Sequence, residues 1–262
     1  MYHHLMVISY KGSNYFGWQD LGANEQKPTI QSTIHQVLKK ICKYQECKIS
    51  AASRTDAGVH AQGQVAKIAI PIDVDSQKLL RGMNSLLPND IRILKCEICS
   101  PDFNPNRDSK SKEYHYYFST ALTLNPLLYD TSSQVLPSMK NSEIGLIDIK
   151  EMERACKLFI GEHDFYNFAT KDTSINSTTR NILNCELLKA DFSNISHDLY
   201  YLKIKGDGFL KHMVRYISGA IFEVGRGRIS LNDINKALIN PNEKKLSPKT
   251  KSRGLHLIEI FY

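Results

Sequence analysis

Apolar residues recur along the first part of the chain at two spacings, one typical of strands and the other of helices. Alternating apolar and polar positions predict four β-strands, at residues 5–10, 47–52, 63–70 and 91–99. Apolar residues three or four positions apart predict two helices, which begin after Thr29 and at Asp75 or Ser76. The predicted order is strand, helix, strand, strand, helix, strand, which is the ferredoxin-like order.

The second part of the chain repeats this order without repeating the residues. It predicts strands at 113–120, 181–192, 200–205 and 255–262, and helices at 151–160 and 210–224. Ser230 and Asp233 form a capping-box-like start for one extra short helix. The sequence thus predicts an α+β protein with two ferredoxin-like (RRM-like) halves, residues 1–105 and 106–262. The halves would form a broad, mainly antiparallel sheet with helices on one face and a cleft between them.

A polar loop at residues 53–64 separates two predicted strands and carries one carboxylate, Asp56. The Asp-Ala-Gly sequence at 56–58 is typical of a turn, so a purely structural role for Asp56 is possible. A turn does not need the guanidinium of Arg54 two residues earlier, however, and loops of this kind often carry function. From the local sequence, Asp56 is either a turn residue or a catalytic carboxylate.

Composition narrows the class of protein only slightly. The 262 residues include 34 Lys and Arg against 27 Asp and Glu, a net charge of +7 that permits a polyanionic partner without requiring one. The chain has no apolar run as long as a membrane span and its first apolar stretch is too short for a signal peptide, so we predict a cytoplasmic protein. We expect the six cysteines to be reduced. Cys96 and Cys99 have a metal-like spacing but would point to opposite faces of a strand, so no metal site is predicted.

The sequence Arg-Thr-Asp-Ala-Gly-Val-His-Ala at 54–61 resembles the signature of the TruA-type tRNA pseudouridine synthases. A Gly-Trp-Gln segment at 17–19 also resembles that family, and the likeness covers nearly the whole chain. It implies an isomerase that converts uridine to pseudouridine in the anticodon stem-loop of tRNA, at positions 38 to 40. It also implies that Asp56 is the nucleophile, that no cofactor takes part, and that the enzyme is a homodimer.

An ionised catalytic carboxylate that is partly buried needs a fixed cation nearby. Arg215 is the best candidate, because it lies on the predicted helix 210–224 beside an apolar stripe, where an unpaired guanidinium would be costly. The alternative is that its side chain reaches solvent from the edge of the stripe. The resemblance pairs Arg215 with the catalytic Asp and implies that Arg54 helps to keep the target nucleotide flipped out of its helix.

Basic and aromatic residues alternate at 110–117, a pattern suited to phosphate contact plus base stacking, although most such runs are ordinary aromatic strands. Here the resemblance implies that Tyr114 stacks on the target uracil, and Lys112 lies two residues before it. Arg180 either binds the RNA backbone or forms a surface salt bridge. The aromatic residues of the loop that contains Trp18 are expected to pack rather than to stack on RNA.

The sequence also departs from the family pattern. His35 replaces a common Glu in the first helix, and residues 103–108 differ from the usual sequence before the aromatic strand. The lysine-rich run at 240–253 either is solvated or contacts phosphates. Two alternatives remain: a catalytically silent RNA-binding protein, and a synthase of this family with another RNA target. No RNP-like aromatic motif supports the first, and Ala57 after the Asp is typical of the bacterial enzymes.

Overall fold

The computed structural model describes residues 1–20, 22, 28–140, 143–173, 175–191, 198–242 and 245–262. The described chain divides into two compact units. The first contains Met1–Lys110 together with His256–Tyr262, and the second contains Ser111–Leu255. Within the described residues, none of the helices combines the length and the apolar character that a membrane crossing requires.

The first unit contains the six elements that the sequence predicted, in the predicted order. They are strands β1 (Tyr2–Tyr10), β2 (Lys48–Ala51), β3 (His60–Ile70) and β4 (Ile91–Ile98), and helices α1 (Ile30–Ile41) and α2 (Ser76–Leu86). Strand β1 lies between β4 and β3, β2 pairs with β3, and all of these pairs are antiparallel. This arrangement is ferredoxin-like.

The caps and the burial pattern explain why these segments fold as they do. The Thr29 side chain accepts from the backbone N–H of Ser32 and closes a capping box at the start of α1. The Asp75 carboxylate accepts from the N–H groups of Gln77 and Lys78 at the start of α2. Along β1, alternate side chains from His4 to Tyr10 are buried and the others are half-buried, so one face of the strand packs against the core.

The second unit begins with strand β5 (Ser111–Ser119) and has a larger set of elements. In chain order they are strands β6 (Ser133–Gln134), β7 (Met139–Lys140) and β8 (Glu143–Ile144), helix α3 (Ile149–Leu158), strands β9 (Gly161–Asp164), β10 (Thr179–Lys189) and β11 (Leu199–Gly206), and helices α4 (Met213–Gly225) and α5 (Leu231–Ile239). Strands β5, β11, β10 and β9 are neighbours in that order and pair antiparallel. In the described ranges, the mostly antiparallel strands and the five helices confirm the predicted α+β class.

Two predictions for the second unit need correction. Strand β9 was not predicted, because its four residues have no apolar alternation and depend on pairing with β10. Helix α4 begins at Met213 rather than at residue 210, since His212 has a left-handed backbone with φ of 64°. A helix cannot continue through that conformation. The predicted capping box of Ser230 and Asp233 is present at the start of α5.

The final strand, β12 (Leu255–Phe261), changes the predicted division of the chain. It pairs parallel with β3, with His256 opposite His60 and Leu257 opposite Ala61. The first unit therefore extends to Lys110 and includes the last strand, whereas the sequence placed the boundary after residue 105 and assigned the last strand to the second half. A local sequence pattern identifies a strand but not its distant partner.

The long connection that follows β5 contacts other parts of the second unit. Strand β6 pairs parallel with β5, and the Arg226 Nε donates to the Leu136 carbonyl over 2.8 Å. Three positions in predicted segments lie outside the described residues: Phe192 of the strand at 181–192, and Glu243 and Lys244 of the lysine-rich run.

Candidate active site

A tight loop between β2 and β3 carries Asp56, the candidate nucleophile. The Val59 N–H donates to the Asp56 carbonyl over 3.1 Å, and Gly58 has a φ of 77°, so the chain reverses direction just after the carboxylate. The predicted turn is confirmed. Asp56 is half-buried and Arg54 is exposed, so neither side chain is sealed beneath other atoms. This is the accessibility that a substrate-binding loop requires.

Thr55 anchors the loop through its side chain and through its backbone. The Thr55 Oγ1 lies 2.7 Å from the Tyr10 hydroxyl at the end of β1, and both residues are buried. The Thr55 carbonyl accepts from the Trp18 N–H over 3.0 Å. Buried hydrogen bonds of this kind restrict the backbone of the residue beside Asp56.

Two glycines allow the segment 12–18 to lie directly on this loop. A Cβ on Gly17, whose φ is 89°, would lie 2.5 Å from the Thr55 carbonyl oxygen and 2.9 Å from the Asp56 carbonyl carbon. A Cβ on Gly12 would lie 1.9 Å from the Val59 carbonyl oxygen. In both cases the atoms that a Cβ would meet belong to the backbone of the loop, which cannot rotate away as a side chain can. A side chain at either position would therefore displace the loop that holds Asp56.

Gln64 closes the open end of the same loop. Its side chain is fully buried, its Nε2 donates to the Ser53 carbonyl over 2.7 Å, and its Oε1 accepts from the Ser53 N–H over 3.3 Å. One amide thus satisfies both backbone groups of Ser53, as a neighbouring strand would. The loop is therefore fixed on both sides of Asp56, and the carboxylate is presented from a rigid support.

The aromatic residues of segment 12–18 mostly pack, as the sequence predicted. Trp18 and Tyr15 are buried, whereas Phe16 is 48% exposed. The Tyr15 hydroxyl donates to the Asp90 Oδ1 over 2.6 Å, and burial together with this acceptor raises the pKa of Tyr15. This hydrogen bond ties the segment to the turn before β4.

In the second unit, Lys112 and Tyr114 lie on the same strand, β5. Tyr114 is 6% exposed and meets the Phe209 ring edge-on, with 5.1 Å between the ring centroids. Lys112 is 8% exposed, and burial lowers the pKa of its ammonium group to about 8. A lysine held in so dry an environment is an unusual residue for a strand whose role is only structural.

Arg180 lies near the same stretch of backbone as Lys112 and Tyr114. Lys112 faces Gly206 across β5 and β11, and a Cβ on Gly208 would lie 3.5 Å from the Arg180 Nε. The Arg180 Nη1 donates to the carbonyls of Ser177 and Thr179. Three of the predicted binding residues thus lie beside residues 206–209.

Arg215 lies in the first turn of α4, and its side chain is buried at 9% exposure. Its Nε donates to the Thr250 carbonyl over 2.8 Å, and its own carbonyl accepts from the Thr250 hydroxyl over 3.1 Å. The alternative in which this side chain reaches solvent from the edge of the apolar stripe is therefore wrong. A buried guanidinium is costly, which indicates a specific role for its charge.

His212 precedes α4 and contacts the side chains of Thr170 and Lys249. Its Nδ1 lies 2.6 Å from the Thr170 hydroxyl, and the Lys249 Nζ lies 3.4 Å from its Nε2.

The part of the chain that the structure describes contains no cluster of side chains that could bind a metal ion. None of its groups of His, Cys, Asp and Glu contains three residues placed to hold one ion. Cys96 is buried, and burial is the main cause that raises the pKa of its thiol to about 11. A thiol of this kind is a poor metal ligand at neutral pH.

Three residues that support the Asp56 loop were not assigned a role from the sequence: Gly12, Gly17 and Gln64. The glycines had a visible signal, because they punctuate an otherwise aromatic loop. Gln64 was visible only as the last residue of the polar loop at 53–64, since a single sequence does not show which backbone groups a buried side chain will satisfy.

Fold and loop together define an α+β protein that presents one carboxylate on a rigid connection between two strands. A family model described as tRNA pseudouridine synthase matches residues 6–104 and 155–262. The chain belongs to the tRNA pseudouridine synthase family, whose members are isomerases, and the resemblance seen in the sequence is confirmed.

Individual relatives match the chain over nearly its whole length. It is 48% identical over 256 residues to tRNA pseudouridine synthase A 2 of Desulfotalea psychrophila, covering 97% of this chain and 96% of that protein. It is 35% identical to tRNA pseudouridine synthase A of Thermodesulfovibrio yellowstonii, covering 98% of each chain. The enzyme of the same name from Listeria monocytogenes is 33% identical, and the match covers 98% of this chain and 97% of that one.

Proposed function

We propose that this protein converts uridine to pseudouridine in the anticodon stem-loop of tRNA, at positions 38 to 40, with Asp56 as the nucleophile. The observation that carries the proposal is the support of the Asp56 loop, which the buried Thr55 and Gln64 fix on either side of a half-buried carboxylate. A protein that only bound RNA would have no need to hold one acid group in this way. The family membership supports the same reaction.

The reaction needs a group that can add to the substrate and later leave, and an ionised carboxylate can do both. The Asp56 oxygen attacks the sugar or the base, and the bond between the ribose C1′ and the uracil N1 breaks. The base rotates and its C5 bonds to C1′. The C5 proton is released, N1 takes up a proton, and the bond between Asp56 and the substrate breaks, which regenerates the carboxylate. No electrons are gained or lost overall, so the reaction requires no oxidant or reductant.

The decisive experiment measures tritium release from tRNA transcripts labelled at uridine C5. We expect release by the wild-type protein and none by Asp56→Ala, with tRNA binding retained. Asp73→Ala is the matched control, because Asp73 is an exposed acid in a loop of the same unit. Equal release by the wild type and Asp56→Ala would refute the nucleophilic role.

A second experiment separates this target from other RNA sites. Transcripts in which the uridines at positions 38, 39 and 40 are replaced one at a time by cytidine should lose label release in proportion to the sites removed. Full release from a transcript that lacks all three uridines would instead favour a synthase of this family with another target.

The roles of the remaining site residues are part of the same proposal. We expect Arg215→Met to lower kcat far more than it raises KM, and Arg54→Ala to slow the reaction through poorer flipping of the nucleotide. Tyr114→Leu tests stacking on the uracil, while Lys112 and Arg180 are expected to affect tRNA affinity with a marked salt dependence. If Arg215→Met lost only affinity for tRNA and kept its turnover rate, Arg215 would be an RNA contact and not a catalytic residue.

We also propose that the protein is a homodimer that acts in the cytoplasm, where its tRNA substrate is found. Support for the dimer comes from the family resemblance alone. Light scattering of the purified protein tests it directly, and a mass near the 29.8 kDa of one chain would refute it.

A further inference from the structure

His60 is the first residue of β3, and its ring is buried only four residues after Asp56. Its Nδ1 lies 3.2 Å from the backbone nitrogen of Gly12. A backbone N–H can only donate, so Nδ1 must be the acceptor in this hydrogen bond. His60 is therefore a neutral imidazole with its proton on Nε2.

A second histidine holds this ring in place. His256 of β12 stands opposite His60 in the parallel register, and the two rings stack with centroids 4.6 Å apart and an interplanar angle of 22°. Both rings are buried, at 3% and 8% exposure. The stack restricts rotation of the His60 ring, so Nδ1 stays directed at the Gly12 N–H.

The donor to His60 is the Gly12 N–H, and Gly12 is the first residue of the segment that supports the catalytic loop. Gly12 starts a short 3-10 turn, and its carbonyl accepts from the Tyr15 N–H over 3.0 Å. The Tyr15 carbonyl in turn accepts from the Gly58 N–H over 3.3 Å, two residues after Asp56. Gly17, further along the same segment, lies against the backbone of Thr55 and Asp56. The hydrogen bond to His60 thus fixes the position of Gly12, and with it the start of this segment, relative to the Asp56 loop.

We propose that His60 is a positioning residue for Asp56, and that it acts as a hydrogen-bond acceptor at Nδ1 which fixes segment 12–17 against the Asp56 loop. The proposal rests on the proposed role of Asp56 as the nucleophile. His60 does not contact the substrate in this scheme. Without the acceptor, the Gly12 N–H would be buried and unsatisfied, and the segment would shift to find another partner.

The test compares two amides that place their oxygen differently. In His60→Asn the Oδ1 stands near the position of Nδ1, whereas in His60→Gln the amide oxygen lies further out, near the position of Nε2. We expect Asn to retain single-turnover activity within about fivefold, and Gln and Leu to lose about 10-fold to 100-fold, as a displacement of up to 1 Å would cause. The KM for tRNA should not change in any of the three.

A measurement on the wild type decides the question independently of the variants. The ring ¹⁵N chemical shifts of His60, assigned by comparison with His60→Asn, should show an unprotonated Nδ1 at neutral pH. A protonated Nδ1 would overturn the proposal, as would equal losses in the Asn and Gln variants or a loss that lies mainly in KM. If Asp56→Ala is inactive and His60→Gln is fully active, only the positioning role fails. If Asp56→Ala is active, the proposed function itself fails.

Discussion

Replacing Gly17 with alanine tests whether the backbone beneath Asp56 must stay where it is. Two costs add in this variant. The φ of 89° lies in the left-handed half of backbone space, where a Cβ costs about 1–2 kcal/mol. The new Cβ would also lie 2.5 Å from the Thr55 carbonyl oxygen, and relief of such overpacking typically costs about 1–3 kcal/mol. We therefore expect the free energy of unfolding to fall by about 2–5 kcal/mol.

The same collision predicts a specific loss of activity. To reach the 3.0 Å at which real Cβ contacts begin, the Thr55 carbonyl must move by about 0.5 Å, and Asp56 is covalently attached to it. A displacement of this size in a reacting group is expected to lower the single-turnover rate about 10-fold to 100-fold.

Gly227→Ala is the matched control for this experiment. Gly227 also has a positive φ, 65°, but a Cβ there would meet nothing within 4 Å. It should lose only the conformational part of the stability, about 1–2 kcal/mol, with normal activity. Urea unfolding and tritium release from labelled tRNA give the two readouts. Equal effects of the two variants on stability, or unchanged activity in Gly17→Ala, would refute the argument that the loop is held by this contact.

Further predictions concern the other contacts that hold the two units in shape. Gln64→Leu should lower the free energy of unfolding, measured by urea titration, by about 2–4 kcal/mol, since the Ser53 N–H and carbonyl lose their partners. As a control, Gln62→Leu should change the free energy of unfolding little, because Gln62 is exposed. Gly12→Ala should fail to fold or unfold at a much lower temperature by circular dichroism, because its Cβ would lie 1.9 Å from the Val59 carbonyl oxygen; a normal melting temperature would contradict this. Burial lowers the pKa of Lys112 to about 8 from its usual 10.5. Between about pH 8 and pH 10.5 the unfolded chain therefore binds more protons than the folded chain, and the free energy of unfolding rises with pH. Relative to Lys112→Met, the wild type should gain about 3 kcal/mol between about pH 7 and pH 10.5, and parallel pH profiles would show that the ammonium is not desolvated.

The sequence by itself determined the first unit almost completely. Its strands and helices have strong periodicities and clear caps at Thr29 and Asp75, and these are local properties that depend on neighbouring residues. The same locality explains why the turn at Asp56 was recognised, since an Asp-Ala-Gly sequence needs no distant partner to reverse the chain. The family was also visible in the sequence, because its signature is a short continuous stretch.

Only the tertiary structure decided which distant groups meet. The final strand joined the first unit because His256 pairs opposite His60, a partner nearly 200 residues away that no local pattern specifies. Strand β9 exists because β10 offers hydrogen bonds to it, and its own residues do not indicate a strand. Gln64 and His60 became support for the Asp56 loop for the same reason. Their polar atoms are buried, and the free energy of burial depends on partners that only the folded chain brings within reach.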